Sequence, residues 1–184
     1  MRAAALIFFW IFLITSAEAE EYAVSSPSGD ISALIELRDG VPFYRVTFRG
    51  KLILRDSRLG MALDTGDLST NHAVREVSTG DADETWEQPW GESRIVRDRH
   101  NELRLEMESE IEAGMRLNVV FRAFDDGVGD RYELPGDEGD GEIVVIDEKT
   151  EFALPSEYWA WWIPAYENNR YEYLYTESST SGMR

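Results

Sequence analysis

The chain contains no cysteine, only two lysines (Lys51 and Lys149) and only two histidines (His72 and His100). Without cysteine there is no disulfide framework, no thiol nucleophile and no cysteine-ligated zinc. Two histidines this far apart in sequence do not suggest a histidine metal site. Cations are scarce as a class, with 18 Lys+Arg against 36 Asp+Glu and a formal net charge of -18. Sequence-independent nucleic-acid binding depends on Lys and Arg neutralising phosphates, so that class is excluded. The nucleophile elbow GxSxG, the P-loop and the dinucleotide fingerprint GxGxxG are also missing. Hydrophobicity is not lacking: 43% of residues are apolar and 12% aromatic, which argues for a packed core rather than disorder. A length of 184 residues suits one domain with a sizeable interior.

The first segment reads as an export signal. Arg2 precedes the apolar run Ala3 to Ile14 (AAALIFFWIFLI), then Thr15-Ser16 and the A-x-A pattern Ala17-Glu18-Ala19. The run is short of the roughly 20 apolar residues that a membrane span needs. The pattern predicts a signal peptide over 1–19, cleaved after Ala19, and a mature domain over 20–184 with no membrane segment. Cleavage removes one cation and one acid, Arg2 and Glu18, so the net charge stays at -18.

The mature segment reads as all-β. A turn cluster, Ser25 to Gly29, leads to Ile31, Ala33, Ile35 and Leu37, alternating with other residues at period two. Asp39-Gly40 is a hairpin dipeptide, and Phe43 to Phe48 supplies the returning strand. Leu52 to Leu54 and Leu59 to Leu63 read as further short strands. Asp64 to Asp83 is polar and reads as loop, with at most a weak strand near Val74 to Val77. Leu103, Leu105 and Met107 alternate with Arg104, Glu106 and Glu108. Met115 to Ala123 gives the cleanest period-two signal in the chain. Asp125-Asp126-Gly127 is turn chemistry, Arg131 to Leu134 the return strand, Gly136 to Gly141 an acidic loop, and Ile143 to Ile146 a strand of buried type. No long 3.6-residue period occurs after the leader, so the expected fold is a sandwich or barrel.

Two stretches carry candidate chemistry. In Asp83 to Glu92 (DETWEQPWGE), Trp86 and Trp90 flank Pro89 among Glu84, Glu87 and Glu92. Indole rings stack on the apolar faces of pyranoses while carboxylates accept hydroxyl hydrogen bonds, so Trp86 and Trp90 are candidate substrate-binding residues. The competing reading is a rigid loop whose rings cover a sheet edge or another domain. Pro155 to Tyr175 is dense in Trp and Tyr, and Glu172 lies between Tyr171 and Tyr173. A carboxylate held between aromatics is a plausible hard-cation ligand, though one Glu is a weak metal signal. Asp137, Glu138 and Asp140 in GDEGDG do not match a calcium-loop pattern. With this many acids, no glycosidase-type carboxylate pair can be singled out.

The series SPSGDISALIELRDGVPFYRVTFRGKLIL, SRLGMAL, DETWEQPWGE, HNELRLEM, RLNVVFRAFDDGVGDRYELP and EYWAWWIPAYENNRYEYLYTE resembles the amino-terminal domain of glycoside hydrolase family 97. These are bacterial exported α-glucosidases and α-galactosidases, and the resemblance runs from about Val24 to Glu177. It implies a large antiparallel β-sandwich (a galactose-mutarotase-like super-sandwich) ahead of a (β/α)8 catalytic barrel. That barrel needs about 250 residues, so the chain is expected to be a truncated piece that lacks the barrel and the last strands of its sandwich. It would then support the barrel, form part of the cleft for an oligosaccharide or α-glycoside, and not be catalytic alone. The resemblance further implies calcium in the complete enzyme, with Glu172 as one ligand, and an exported, periplasmic location in a Gram-negative bacterium. The alternative is a stand-alone exported sandwich that binds carbohydrate or a protein. One departure stands out. Asp130 occupies a position usually apolar or aromatic in the family, which predicts a later strand start or altered pairing if it points inward.

Overall fold

Asp39-Gly40 and Arg49-Gly50 both have positive φ at their two central positions (48° and 74°, 49° and 74°), the geometry of tight hairpin turns whose twist matches that of the flanking strands. They fold β2 (Ile31–Arg38), β3 (Val41–Phe48) and β4 (Lys51–Arg58) onto one another, and β1 (Glu20–Ser25) adds at the edge of β2. Arg49 is held in this uncommon conformation by its N–H, which donates to the Asp30 carbonyl at 2.6 Å, and by its guanidinium, 2.9 Å from the Asp30 carboxylate. The computed structural model describes residues 20–136, 142–164 and 173–183. The leader, residues 137–141 of the acidic loop, and Tyr166, Glu167, Tyr171 and Glu172 lie outside the described residues.

A second antiparallel sheet has the order β10-β9-β8-β7, with β7 (His72–Glu87), β8 (Ile95–Ser109), β9 (Arg116–Phe124) and β10 (Val128–Glu133). Period two aims one face of each sheet at the other. Ala33, Ile35, Tyr44 and Val46 of the first sheet meet Leu103, Leu105, Met107, Leu117, Val119, Phe121 and Ala123 of the second, all buried. The rings of Tyr44 and Phe121 lie 5.5 Å apart across this core. Each large apolar side chain, taken fully out of water, contributes roughly 1.5–3 kcal/mol. The result is the expected all-β antiparallel sandwich.

A small sheet, β11-β5-β6, closes one end, with β5 (Met61–Leu63), β6 (Gly66–Leu68) and β11 (Val145–Glu148). A chain of hydrogen bonds pins it to the sandwich. The Gly60 N–H donates to the Tyr132 hydroxyl (2.9 Å), which donates to Thr150 Oγ1 (2.7 Å), which donates to the Glu148 carboxylate (2.8 Å). Residues 149–153 then run beside β4. Lys149 N–H donates to Gly60 O, Glu151 N–H to Arg58 O, and Arg55 N–H to Ala153 O, all within 2.8–2.9 Å. This covers part of an edge that would otherwise present unpaired backbone groups. β12 (Trp159–Trp162) and β13 (Thr176–Ser179) form a separate antiparallel pair, and a short 3-10 turn, η1 (Thr180–Gly182), comes after it.

The structure corrects several expectations. Asp64 to Asp83 is not loop: it contains β6 and most of β7, a 16-residue strand. β8 likewise begins at Ile95, eight residues before its apolar alternation starts. Ile143 to Ile146 is not a buried strand; all four side chains are exposed, and β11 starts at Val145. Asp130 neither delays nor distorts β10, which starts at Val128 and pairs in unbroken register, Asp130 opposite Phe121. It points inward with Val128 and Tyr132 and is half-buried. Burial first, and the Glu148 carboxylate second, push its carboxyl above the usual range.

Candidate functional site

β8 pairs with β9 only from His100 to Glu108, whereas its pairing with β7 continues to Ile95 opposite Glu87. Residues 83–87 and 95–99 therefore form a two-stranded ribbon reaching past β9. Directly opposed residues share a face, so the register sorts the ribbon into two surfaces. On one, Asp83, Thr85 and Glu87 lie opposite Arg99, Arg97 and Ile95. Arg97 grips both oxygens of Asp83 at 2.6 and 2.7 Å and holds that carboxyl below its ordinary range. Arg99 bridges to Asp125 at 3.4 Å. These pairs are exposed and screened by solvent, so they fix orientation more than stability.

The other surface carries Trp86 opposite Val96, Glu84 opposite Asp98, Ala82 opposite His100 and Gly80 opposite Glu102. At its base lies a hollow of about 310 Å³ lined by Gly80, Glu84, Asp98, His100, Glu102 and Arg122, among others. His100 is only 4% exposed. Its Nδ1 stands 2.5 Å from Asp98 Oδ1, and its ring lies 5.1 Å from that of Phe124. Arg122 Nε donates to Glu102 at 2.7 Å, cancelling one carboxylate of the hollow. A side chain on Gly80 would meet only Glu102 Cβ, at 4.0 Å, so glycine there leaves the floor open.

The tip spans residues 88–94. Gln88 N–H donates to Arg94 O at 3.0 Å, and Gln88 Nε2 donates to Ser93 O at 2.6 Å. Gly91 has φ 117°, and a Cβ there would sit 2.7 Å from Gln88 Nε2. DETWEQPWGE is thus half strand and half turn, not one loop. Trp86 is 50% exposed on the ribbon, and Trp90 is 82% exposed on the turn. Glu84, Asp98 and His100 do not stand out as a group in the sequence. The available signal is Asp98-x-His100 on one strand face, recognisable only once 95–102 is known to be strand.

The second aromatic stretch is elsewhere. Trp162 Nε1 donates to Ser178 Oγ at 2.9 Å, tying β12 to β13. Trp159 and Trp161, two apart on β12, are 69% and 63% exposed, with Tyr158, Tyr175 and the nearly bare Leu174 also open. Glu172 lies outside the described residues. Among the described residues no group of three or more His, Asp or Glu converges as a metal site. Calcium takes six to eight oxygen donors, so the described residues do not by themselves fit a calcium ion.

The family model described as Glycosyl-hydrolase 97 N-terminal matches residues 24–184. A retaining alpha-galactosidase of Bacteroides thetaiotaomicron is 27% identical over 139 residues, covering 75% of this chain and 20% of that protein. A probable retaining alpha-galactosidase of Streptomyces bingchenggensis is 28% identical over 163 residues, covering 85% of this chain and 25% of that protein. A Glycoside Hydrolase Family 97 enzyme from Pseudoalteromonas sp. strain K8, solved in complex with panose and with acarbose, superposes with TM-score 0.77 at 36% identity, over 85% of this chain and 24% of that one. The chain spans a quarter or less of the length of these relatives. The match across nearly the whole described sandwich places the chain in glycoside hydrolase family 97, as its amino-terminal domain.

Proposed function

We propose that this chain serves as the amino-terminal sandwich of an exported α-glycosidase. In this reading it backs a (β/α)8 catalytic barrel supplied by further polypeptide, contributes to the wall of a cleft for an oligosaccharide or α-glycoside, and has no catalytic residue of its own. The leader-like segment Met1 to Ala19 supports export, and the periplasmic location rests on the family resemblance. The observation that carries the reading is the open aromatic face of β12, where Trp159 and Trp161 stand more than half exposed in a chain otherwise rich in charge. Contiguous apolar surface of this kind marks a docking site, and the relatives are about four or five times longer than the part matched here. The calcium reading rests on the family resemblance: Glu172 would give one oxygen donor and the barrel the others.

The native polypeptide carrying this sequence decides the matter. Its mass should far exceed 21.1 kDa, and it should release p-nitrophenol from the α-galactoside or the α-glucoside, while residues 20–184 alone should not exceed a blank. Turnover by residues 20–184 would overturn the division of labour. A native protein of this size that is monodisperse and retained on glucan would instead establish a stand-alone carbohydrate-binding sandwich, the reading that the exposed Trp86 and Trp90 favour.

A further inference from the structure

His72 is the side chain whose burial its packing does not explain. It is 2% exposed at the first position of β7, and both of its ring nitrogens are buried with no hydrogen-bond partner among the described residues. An apolar side chain would fill such a place at less cost, because a neutral imidazole carries one N–H that needs an acceptor and one nitrogen that needs a donor. We propose that His72 is an acid-sensitive latch: a proton taken from solvent onto its ring loosens β6 and residues 69–72 from the sandwich while the two main sheets stay closed.

The surroundings leave the closed state intolerant of an imidazolium, which has two N–H donors to satisfy. From β6, the Leu68 backbone and the Asp67 carboxylate face the ring without closing a hydrogen bond to it. The Asp67 carboxylate is engaged instead by the Ser69 N–H at 2.8 Å. On β8 the opposite residue is Ser109, which is neutral, and its hydroxyl already accepts from the N–H groups of Ile111 and Glu112. The turn after β8 adds two acids, Glu110 and Glu112, and the Glu112 carboxylate lies against Gly66 of β6. The β2–β3 turn adds Asp39, and its Gly40 carbonyl accepts the backbone N–H of His72 at 2.9 Å, not the ring. On β7 itself the nearest cation, Arg75, is held by Glu108 at 2.8 Å.

Burial keeps the proton affinity of the ring below its ordinary range, and the Leu68 backbone and Asp67 oppose this without offsetting it. Once residues 69–72 swing out, the imidazole meets water and regains an ordinary pKa near 6.5. The opened form then binds the proton more tightly than the closed form. The latch is therefore fully closed above about pH 6.5 and weakens as pH falls below it. Asp130 cannot mimic this, because its raised pKa makes acidification relieve strain in the closed protein.

Opening is local because the latch holds a weak element. β6 has three residues and sits at the edge of its sheet, paired with β5 alone. The two main sheets have strands of 6 to 16 residues and hold most of the core. Segments with few contacts open first. A metal ion is no substitute explanation for the buried ring, since among the described residues no group of three His, Asp or Glu converges.

The test is amide hydrogen exchange of the full chain at pH 7 and pH 5, beside His72→Leu and His72→Gln, which place a group there that does not titrate in this range. Far-UV spectra and Tm at pH 7 check that each variant folds; if one does not, the other serves. In the parent, protection factors of β6 and of the His72 and Glu110 amides should fall about tenfold or more between pH 7 and pH 5, while β9 stays protected. In the variants they should stay constant. With only two histidines in the chain, the His72 ring-proton resonance reads the same event and should keep its neutral position for as long as β6 is protected. Unchanged protection in the parent overturns the proposal. So does an equal loss in the variants, a loss that includes β9, or a His72 resonance that titrates near pH 6.5 with β6 still protected.

Discussion

Asp130 is the residue whose chemistry sits least easily in its surroundings. Its neighbours at i-2 and i+2, Val128 and Tyr132, pack against the core, so its carboxylate is turned toward the same interior. Burial is the larger cause of its raised pKa, the Glu148 carboxylate the next, and its own backbone N–H opposes them. A carboxyl whose folded pKa lies above its unfolded value of about 3.9 makes the folded state bind the proton more tightly. Its penalty is absent below the unfolded pKa, grows as pH rises through the folded pKa, and is complete at neutrality. Asp130→Asn should therefore raise Tm at pH 7, and the gain should vanish near pH 4. Because the group is only half-buried, solvent screens the effect to about 1 kcal/mol or less, roughly 2–4 °C for a domain of this size. Paired thermal melts at pH 4 and pH 7 check it, and an Asn variant no more stable at pH 7 would show that the carboxylate has found compensation. That Asp130 would be costly to bury was legible in sequence. That β10 would keep its register around it was not, because five neighbouring pairs outvote one unfavourable side chain.

At the scale of elements, legibility followed burial. β2, β3, β8 from Leu103 and β9 each bury one face, so period two is written into them. The ribbon half of β7 and β8 buries no core face, so little selects for apolar alternation there; its backbone groups are satisfied by each other and the side chains are free to be charged. Ile143 to Ile146 misleads in the opposite direction, as an unbroken apolar run of which only Val145 pairs with the three-residue β5 and which stays exposed. The Trp86–His100 face was hidden for the same reason as the ribbon, since it depends on which residues lie opposite. The link between β4 and β5 depends on a different kind of signal. Gly60 has φ +135°, and a Cβ there would lie 2.5 Å from Ser69 Cα and 2.9 Å from Leu68 O, both backbone atoms at the end of β6. Its N–H also starts the hydrogen-bond chain through Tyr132. Gly60→Ala must displace β6 and strain that link, so it should cost about 3 kcal/mol. Urea unfolding reads this as a lower midpoint with an unchanged slope; an unaltered midpoint would mean that the end sheet is not coupled to the sandwich.

For the whole molecule the deciding matter is what lies against it. A charge of -18 keeps such a chain soluble by self-repulsion, yet Trp159, Trp161, Leu174 and Tyr175 leave apolar area uncovered at its carboxy-terminal end. These two properties are reconciled if the charged surface faces solvent and the aromatic end is covered by further polypeptide. On that arrangement Glu172, one residue before Tyr173, belongs to the same aromatic end of the chain. A single carboxylate cannot supply the six to eight oxygens that calcium takes, so residues 20–184 should bind calcium weakly at best. In the longer protein proposed above, with Glu172 as a calcium ligand, Glu172→Gln removes a charge and keeps the shape. It should weaken calcium binding about tenfold or more, since removing a charged donor costs well over 1 kcal/mol, and activity should recover as calcium is raised. Recovery by calcium separates a ligand from a residue that merely supports the aromatic end, because a packing defect would not respond to the ion. Unchanged calcium affinity in Glu172→Gln would remove Glu172 from the site.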